Sequence, residues 1–258
     1  MSHEVTIRDL SNFLLEYAST LLGAGVHTAR AVRNISRIAE SFGYQADMTI
    51  FQRNITMSVI LYDDDSVRRT SVRKIRQMAF NFDIISRLSA LSWRAFDEKL
   101  SLAVLQSEYD RIVARKRISL YFLMPLVALA NASFCRLFQG DSRAMIIVFV
   151  ATLVGFLLKH YLTRWKFNHM AVFVFSSFAA SLIAALGARN GLSHTPDIAL
   201  ATSVLFLVPG VPLINSIMDL LNGHVLMGIS RAVNAGILII CIALGLSASM
   251  LILGLDVL

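Results

Sequence analysis

DIALATSVLFLVPGVPLINSIMDLLNG, residues Asp197–Gly223, is the stretch on which the fold is decided. From Ile198 to Leu221 it is long enough to cross a bilayer, which takes about 20 apolar residues. Yet Pro209, Gly210 and Pro212 sit in its middle. Proline lacks the backbone donor and clashes with the carbonyl four residues back, so a helix should kink or break there. In hydrocarbon each freed backbone group must be satisfied by protein or by water in a cavity. A broken helix at this depth is also the arrangement many transporters use to hold a substrate. The bland alternative is a structural kink packed on a neighbour, with Asp219 near the membrane–water boundary.

Beyond the break, Asn215, Asp219 and Asn222 are spaced to share one face if helix restarts at Pro212, a favoured first-turn position. The restarted helix would present free N–H groups and partial positive charge, suited to an anionic group such as a carboxylate.

Four more apolar runs flank this one: Ile118–Phe138, Ala144–His160, His169–Ala188 and about Val225–Leu253. The last is longer than a span needs and could begin as an interfacial turn near Gly228. Arg115, Lys116 and Arg117 form a basic collar before the first run. With Lys159, Arg164, Lys166 and Arg231 they place seven cations on the side of the N-terminal segment, against Arg136, Arg143 and Arg189 opposite. This bias predicts a cytoplasmic N-terminal domain and a C-terminus on the far side. Among polar residues in the spans, Ser176, Ser177 and Ser181 read as close-packing serines that bond their own backbone. Asn131 and Ser133, in the outer part of the first span, are candidates to line a pathway. His160, His169 and His224, at the predicted cytoplasmic ends, read as interfacial anchors before proton relays.

Residues 1–117 read as soluble α+β. Leu10, Phe13, Leu14, Tyr17 and Leu21 recur at helical spacing until Gly23–Gly25, and Thr28 is placed to cap a second helix ending near Gly43. Met48–Gln52, Ile55–Tyr62 and Ser66–Ile75 read as strands, with Asp63, Asp64 and Asp65 at a hairpin tip. That triple acid lacks the glycine and glutamate of a calcium loop. Helical pattern resumes over Asp83–Phe96 and Ser101–Arg117. The expected fold is therefore an N-terminal soluble α+β domain, residues 1–117, followed by an all-α membrane domain, residues 118–258. The latter has five transmembrane helices, the fourth broken at Pro209–Pro212.

Composition agrees: of 258 residues, 56% are hydrophobic and only 16% charged. The net charge of +7 is split as +4 before residue 118 and +3 after it, with the cations beside apolar runs, and no aromatic-rich basic motif marks nucleic acid as a partner. Cys135 and Cys241 lie inside apolar runs without metal-ligand spacing, so neither a disulfide framework nor a metal is expected. Met1–Arg33 lacks the charged start and apolar core of a signal peptide. No nucleotide loop and no cofactor motif is present, so energy would come from a substrate or proton gradient.

SVLFLVPGVPLINSIMDLLNGHVLMGISR resembles the threonine/serine exporter (ThrE-like) family, and within it the short YjjP-type members. Pro209, Gly210, Pro212, Asn215, Asp219, Gly223, Gly228 and Arg231 fall on the family pattern. Gly25, Thr28 and Arg30 match its amino-terminal Gly-x-x-Thr-x-Arg pattern, although no acidic residue follows that arginine closely. NASFCRLFQGD, Asn131–Asp141, resembles the end of the first span. The resemblance implies efflux of threonine, serine or a dicarboxylate such as succinate across a bacterial inner membrane. It also implies a second small multi-span membrane subunit as partner. Five spans without an internal repeat independently suggest half a pathway, to be completed by such a partner or by a second copy of the chain.

On this reading Pro209, Gly210 and Pro212 open the helix, Asn215 hydrogen-bonds the substrate, and Asp219 takes up a proton or pairs with an ammonium. Asn131 and Ser133 line the opposite wall. The alternative is a regulatory or scaffolding subunit whose soluble domain senses a metabolite and gates a partner. A catalytic soluble domain is the weakest option, since no GxSxG, HExxH or Cys/His pair occurs there.

Overall fold

The computed structural model describes residues 6–51, 53–76, 80–115 and 118–254. Gln52, the collar residues Lys116 and Arg117, and the C-terminal end at 255–258 lie outside the described residues. By contact the chain divides into two compact units: Met1–Lys116 with Val211–Ala232, and Arg117–Gly210 with Val233–Leu258.

The first unit opens with α1 (Ile7–Gly23) and α2 (Thr28–Ser41), continues through β1 (Tyr44–Ile50), β2 (Asn54–Leu61) and β3 (Asp64–Lys74), and adds α3 (Phe82–Asp97) and α4 (Leu102–Val113). The strands form an antiparallel meander in the order β1-β2-β3. Ile55, Met57 and Val59 alternate toward the core, as the period of two requires. They meet Leu10, Leu14, Tyr17 and Leu21 of α1, Ile35 and Ile38 of α2, Leu88 of α3 and Leu105 of α4. Tyr17 is fully buried and donates its hydroxyl to the Leu88 carbonyl at 2.5 Å, and burial raises its pKa. The hairpin tip is closed by Asp64, which accepts the Ser66 N–H at 2.9 Å and its hydroxyl at 2.6 Å.

Two segments from the C-terminal part of the sequence complete this unit. They are α9 (Gly210–Leu221), apart from Gly210, and the start of α10 (Val225–Leu253). Met227 is buried in the same core as α1 and β2. A Schellman arrangement ends α9: Gly223 adopts φ +81, its N–H reaches the Leu220 carbonyl, and His224 N–H reaches that of Asp219. α10 then runs as one helix through Gly228, where the sequence suggested an interfacial turn.

The second unit holds α5 (Leu120–Leu137), α6 (Ser142–Arg164), α7 (His169–Arg189), α8 (Pro196–Ser203) and the remainder of α10. Small buried residues, among them Ala180, Ala184 and Ala185 of α7, let these helices approach closely. Of the predicted serines, Ser177 and Ser181 bond carbonyls of their own helix, while the Ser176 hydroxyl is buried without a hydrogen-bond partner among the described residues. α6 begins earlier than its apolar run, because Asp141 accepts the Ala144 N–H at 2.7 Å and caps it.

Among the described residues, four helices are long and apolar enough to cross a membrane: α5, α6, α7 and α10. Pro196–Leu207 together with Gly210–Leu221 would make a fifth if they count as one span. Helical structure stops earlier than the prolines: α8 ends at Ser203, a 3₁₀ turn covers Leu205–Leu207, and Val208 takes φ −56 and ψ 127. The reason is that Pro209 reaches back four residues to Leu205 and holds its predecessor in extended backbone. Helix resumes at Gly210, not Pro212. Pro212 falls in the first turn, where a missing N–H leaves no intrahelical bond unmade.

Candidate functional site

The candidate residues divide between the two units: Pro212, Asn215 and Asp219 fall in the first, Asn131, Ser133, Pro209 and Gly210 in the second.

In the first unit the α1–α2 turn meets one face of α9. Gly25 has φ +97, a conformation L side chains rarely adopt, and an added Cβ would run into the Phe80 ring. The glycine lets the turn fold tightly and leaves its carbonyl outward, where the Asn215 carboxamide donates to it at 2.7 Å. α2 starts one residue earlier than Thr28 would allow as a cap. His27 is the N-cap, accepting the Arg30 N–H through Nδ1 at 3.3 Å. Burial lowers the His27 pKa, and Arg33 lowers it further, which keeps that nitrogen an acceptor.

Thr28, released from capping, gives both its donors to Asp219. Its N–H lies 2.7 Å from Oδ1 and its hydroxyl 3.1 Å from Oδ2. The Arg231 Nη1 is 3.0 Å from the same Oδ2. This is ion-pair distance without the alignment of a hydrogen bond, so Nη1 is a buried donor with no hydrogen-bond acceptor among the described residues. The other terminal nitrogen of Arg231 donates to the Val26 carbonyl at 3.0 Å. Asp219 has no exposed surface, and the Arg231 side chain is 18% exposed. A carboxylate therefore does sit at a helix N-terminus, but the helix is α2 and the carboxylate is the protein's own. Gly228 sets the spacing of α9 and α10. A Cβ there would lie 2.6 Å from Leu220 Cγ and 3.0 Å from the Ser216 carbonyl, and Ser216 donates to the Gly228 carbonyl at 2.8 Å. Asn222 points elsewhere: it is exposed and bonds the Met218 carbonyl of its own helix. Beside the cluster, Thr28, Thr49, His224 and Met227 help line a cavity of about 310 Å³.

In the second unit Asn131 is buried and donates to Thr152 Oγ1 at 2.7 Å and to the Thr202 carbonyl at 3.0 Å. Thr202 is in the last turn of α8, whose carbonyls lack intrahelical partners. Asn131 thus ties α5 to α6 and to the helix end before the interruption. Ser133 is exposed and donates to the Leu129 carbonyl of its own helix. Pro209 is buried, and the Gly210 N–H closes a turn onto the Val208 carbonyl at 2.9 Å. Among the described residues, no three His, Cys, Asp or Glu side chains come together as metal ligands would.

Thr28 and Arg231 were in the sequence pattern as markers but had no chemical part assigned. A signal for Arg231 existed: an arginine inside an apolar run needs a partner, and Asp219 is the acid nearest to it in sequence. Nothing in the local sequence announces the pairing of Asp219 with Thr28, residues 191 positions apart.

A family model described as "Putative threonine/serine exporter" matches residues 12–253. The "Probable succinate transporter subunit YjjP" of Klebsiella aerogenes is 26% identical over 249 residues, covering 96% of this chain and 95% of that protein. The protein of the same name from Escherichia coli K12 is 26% identical over 249 residues, covering 96% of each. No solved structure matches the chain.

Proposed function

The chain belongs to the threonine/serine exporter family, and on that premise we propose that it is a subunit of a secondary efflux transporter for small carboxylates, working with a second membrane subunit. It is a multi-pass membrane protein, with several helices long and apolar enough to span. The substrate is a small metabolite carrying a carboxylate: succinate, by analogy with the names of the two relatives, or threonine or serine, by analogy with the family's. The partner is a second small membrane protein, in keeping with relatives that are named as subunits. The membrane is a bacterial inner membrane, with the N-terminal unit cytoplasmic and the C-terminus outside, as the excess of cations beside the N-terminal segment favours.

The observation that carries this reading is the buried Asp219 carboxylate held by Thr28 and Arg231. A substrate carboxylate carries the same charge and geometry as Asp219 and can compete for the same donors. It would take the unmatched Nη1 of Arg231 and the Thr28 N–H, releasing Asp219 to accept a proton. The Asn215 carboxamide then hydrogen-bonds the hydroxyl or ammonium group of the substrate. Pro209, Gly210 and Pro212 supply the interruption that leaves α9 separate from α8, and Asn131 fixes the end of α8. Ser133 remains a proposed pathway residue. The test is flux of radiolabelled succinate, threonine and serine from vesicles holding the chain with and without its partner. Wild type should move at least one of them only with the partner, and Asp219→Asn should abolish gradient-coupled flux at equal expression. Undiminished flux in Asp219→Asn removes the residue from the mechanism.

A further inference from the structure

One strand of the N-terminal unit breaks the rule that core-facing positions are apolar. In register, Val59 of β2 stands opposite Arg69, Met57 opposite Ser71 and Ile55 opposite Arg73. Opposed residues share a face of the sheet, so β3 turns two arginines and a serine toward the face that carries the buried Ile55, Met57 and Val59. Over them lies α1. Between α1 and β3 is a groove of about 480 Å³, lined by Asn12, Leu15, Glu16, Arg69, Ser71 and Arg73 among others. Its size is that of a small-molecule site, which runs from about 300 to 1,000 Å³. Near the end of β3 the groove is pinned by Ser19, which donates to the Lys74 carbonyl at 3.2 Å and accepts the Arg76 N–H at 3.4 Å.

The polar groups in this groove are not matched to one another. Arg69 Nε is buried and has no hydrogen-bond partner among the described residues. Arg73 lies 3.6 Å from Glu16, in a pair whose side chains are 37% and 51% exposed. Such a pair is worth about 0–1 kcal/mol and is easily exchanged. Inward-pointing charge on an edge strand does guard the edge against pairing with another chain. That duty needs only a charge. It does not call for a cavity, nor for a guanidinium donor left without an acceptor beside a hydroxyl and a carboxamide.

We propose that the α1–β3 groove binds the carboxylate of a small metabolite, with Arg69 as its main donor and Ser71 and Arg73 beside it. It is a binding site that shares no residue with the Asp219 cluster. A carboxylate supplies the acceptor that Arg69 Nε lacks and can engage the planar guanidinium through both oxygens. The second functional group is read by the remaining charges: Arg73 suits a further carboxylate, and Glu16 suits an ammonium.

Calorimetric titration of the purified full chain in detergent at low ionic strength tests this, with acetate, succinate and threonine as probes and chloride as control. At least one carboxylate should bind saturably to wild type, to Asp219→Asn and to Arg68→Gln, whose substituted position lies on the opposite sheet face. Affinity should fall at least about tenfold in Arg69→Gln, the scale of one charge-assisted hydrogen bond. Should Arg69→Gln fail to fold, Arg69→Lys keeps the charge but loses the planar fork: weaker binding at an unchanged melting temperature supports the site. No saturable binding to wild type, binding undiminished in the Arg69 variants, or binding abolished by Asp219→Asn would overturn the proposal. Because Asp219→Asn is predicted to lose flux but keep this binding, failure here is distinguishable from failure of the transport reading.

Discussion

Asp219 has no exposed surface, two donors from Thr28 and a guanidinium at ion-pair distance. Removing one partner of a buried ion pair strands the other and costs about 3–5 kcal/mol, whereas removing both costs much less. Asp219→Ala should therefore lower the stability of the purified chain by about that amount. Asp219→Ala with Arg231→Leu should recover part of the loss, giving a non-additive cycle in thermal unfolding. Strict additivity would mean that the pair carries no coupling. His27 acts in the same turn. Its pKa is depressed on folding, so the unfolded chain binds more protons than the folded one and stability rises with pH across the interval. The His27 contribution is whole above the ordinary histidine value of about 6.5 and is lost as pH falls through the lowered one. Melting temperature should drop with acidification through that window. His27→Asn, which keeps a capping acceptor, should flatten the dependence.

Elements were legible where a period or a cap was local. The helical spacing from Leu10 to Leu21 and the β-branched runs of β2 led to elements whose ends differ from those expected by a residue or two. The sequence misled in two places, one through a distant partner and one through a local steric effect. Thr28 is a good cap by type, yet Asp219 claims its hydroxyl and N–H, and His27 caps instead. The prolines mark an interruption, but the helix before them gives way at Ser203 because steric conflict propagates backward from Pro209. From sequence, Ser66–Ile75 reads only as a strand, with no face assigned to its arginines. Only the register with β2 reveals which face they occupy. Of the candidate site, Asn215 and Asp219 were marked by their spacing beyond the break. Their partners at Gly25 and Thr28 were not, because contacts 190 and 191 residues apart leave no local trace.

At the scale of the molecule the proposed orientation rests on loop charge. It predicts that an impermeant thiol reagent applied to intact cells labels Gln139→Cys and Asn190→Cys but not Lys99→Cys, all three positions being exposed. The native Cys135 and Cys241 are buried and should stay silent. The reverse pattern would invert the topology. On that topology the connection before α6 and the one before α8 face the outside medium, where Asp141 staples them together. It accepts hydrogen bonds from the Ser193 hydroxyl, the Ala144 and His194 N–H groups and the Thr195 hydroxyl. The Ser193 bond, reinforced by the others, holds this carboxyl well below the usual range, so its hold persists as pH falls past the point where ordinary aspartates discharge. A cell that sours its own surroundings by excreting organic acids would still find this outer corner of the protein fastened.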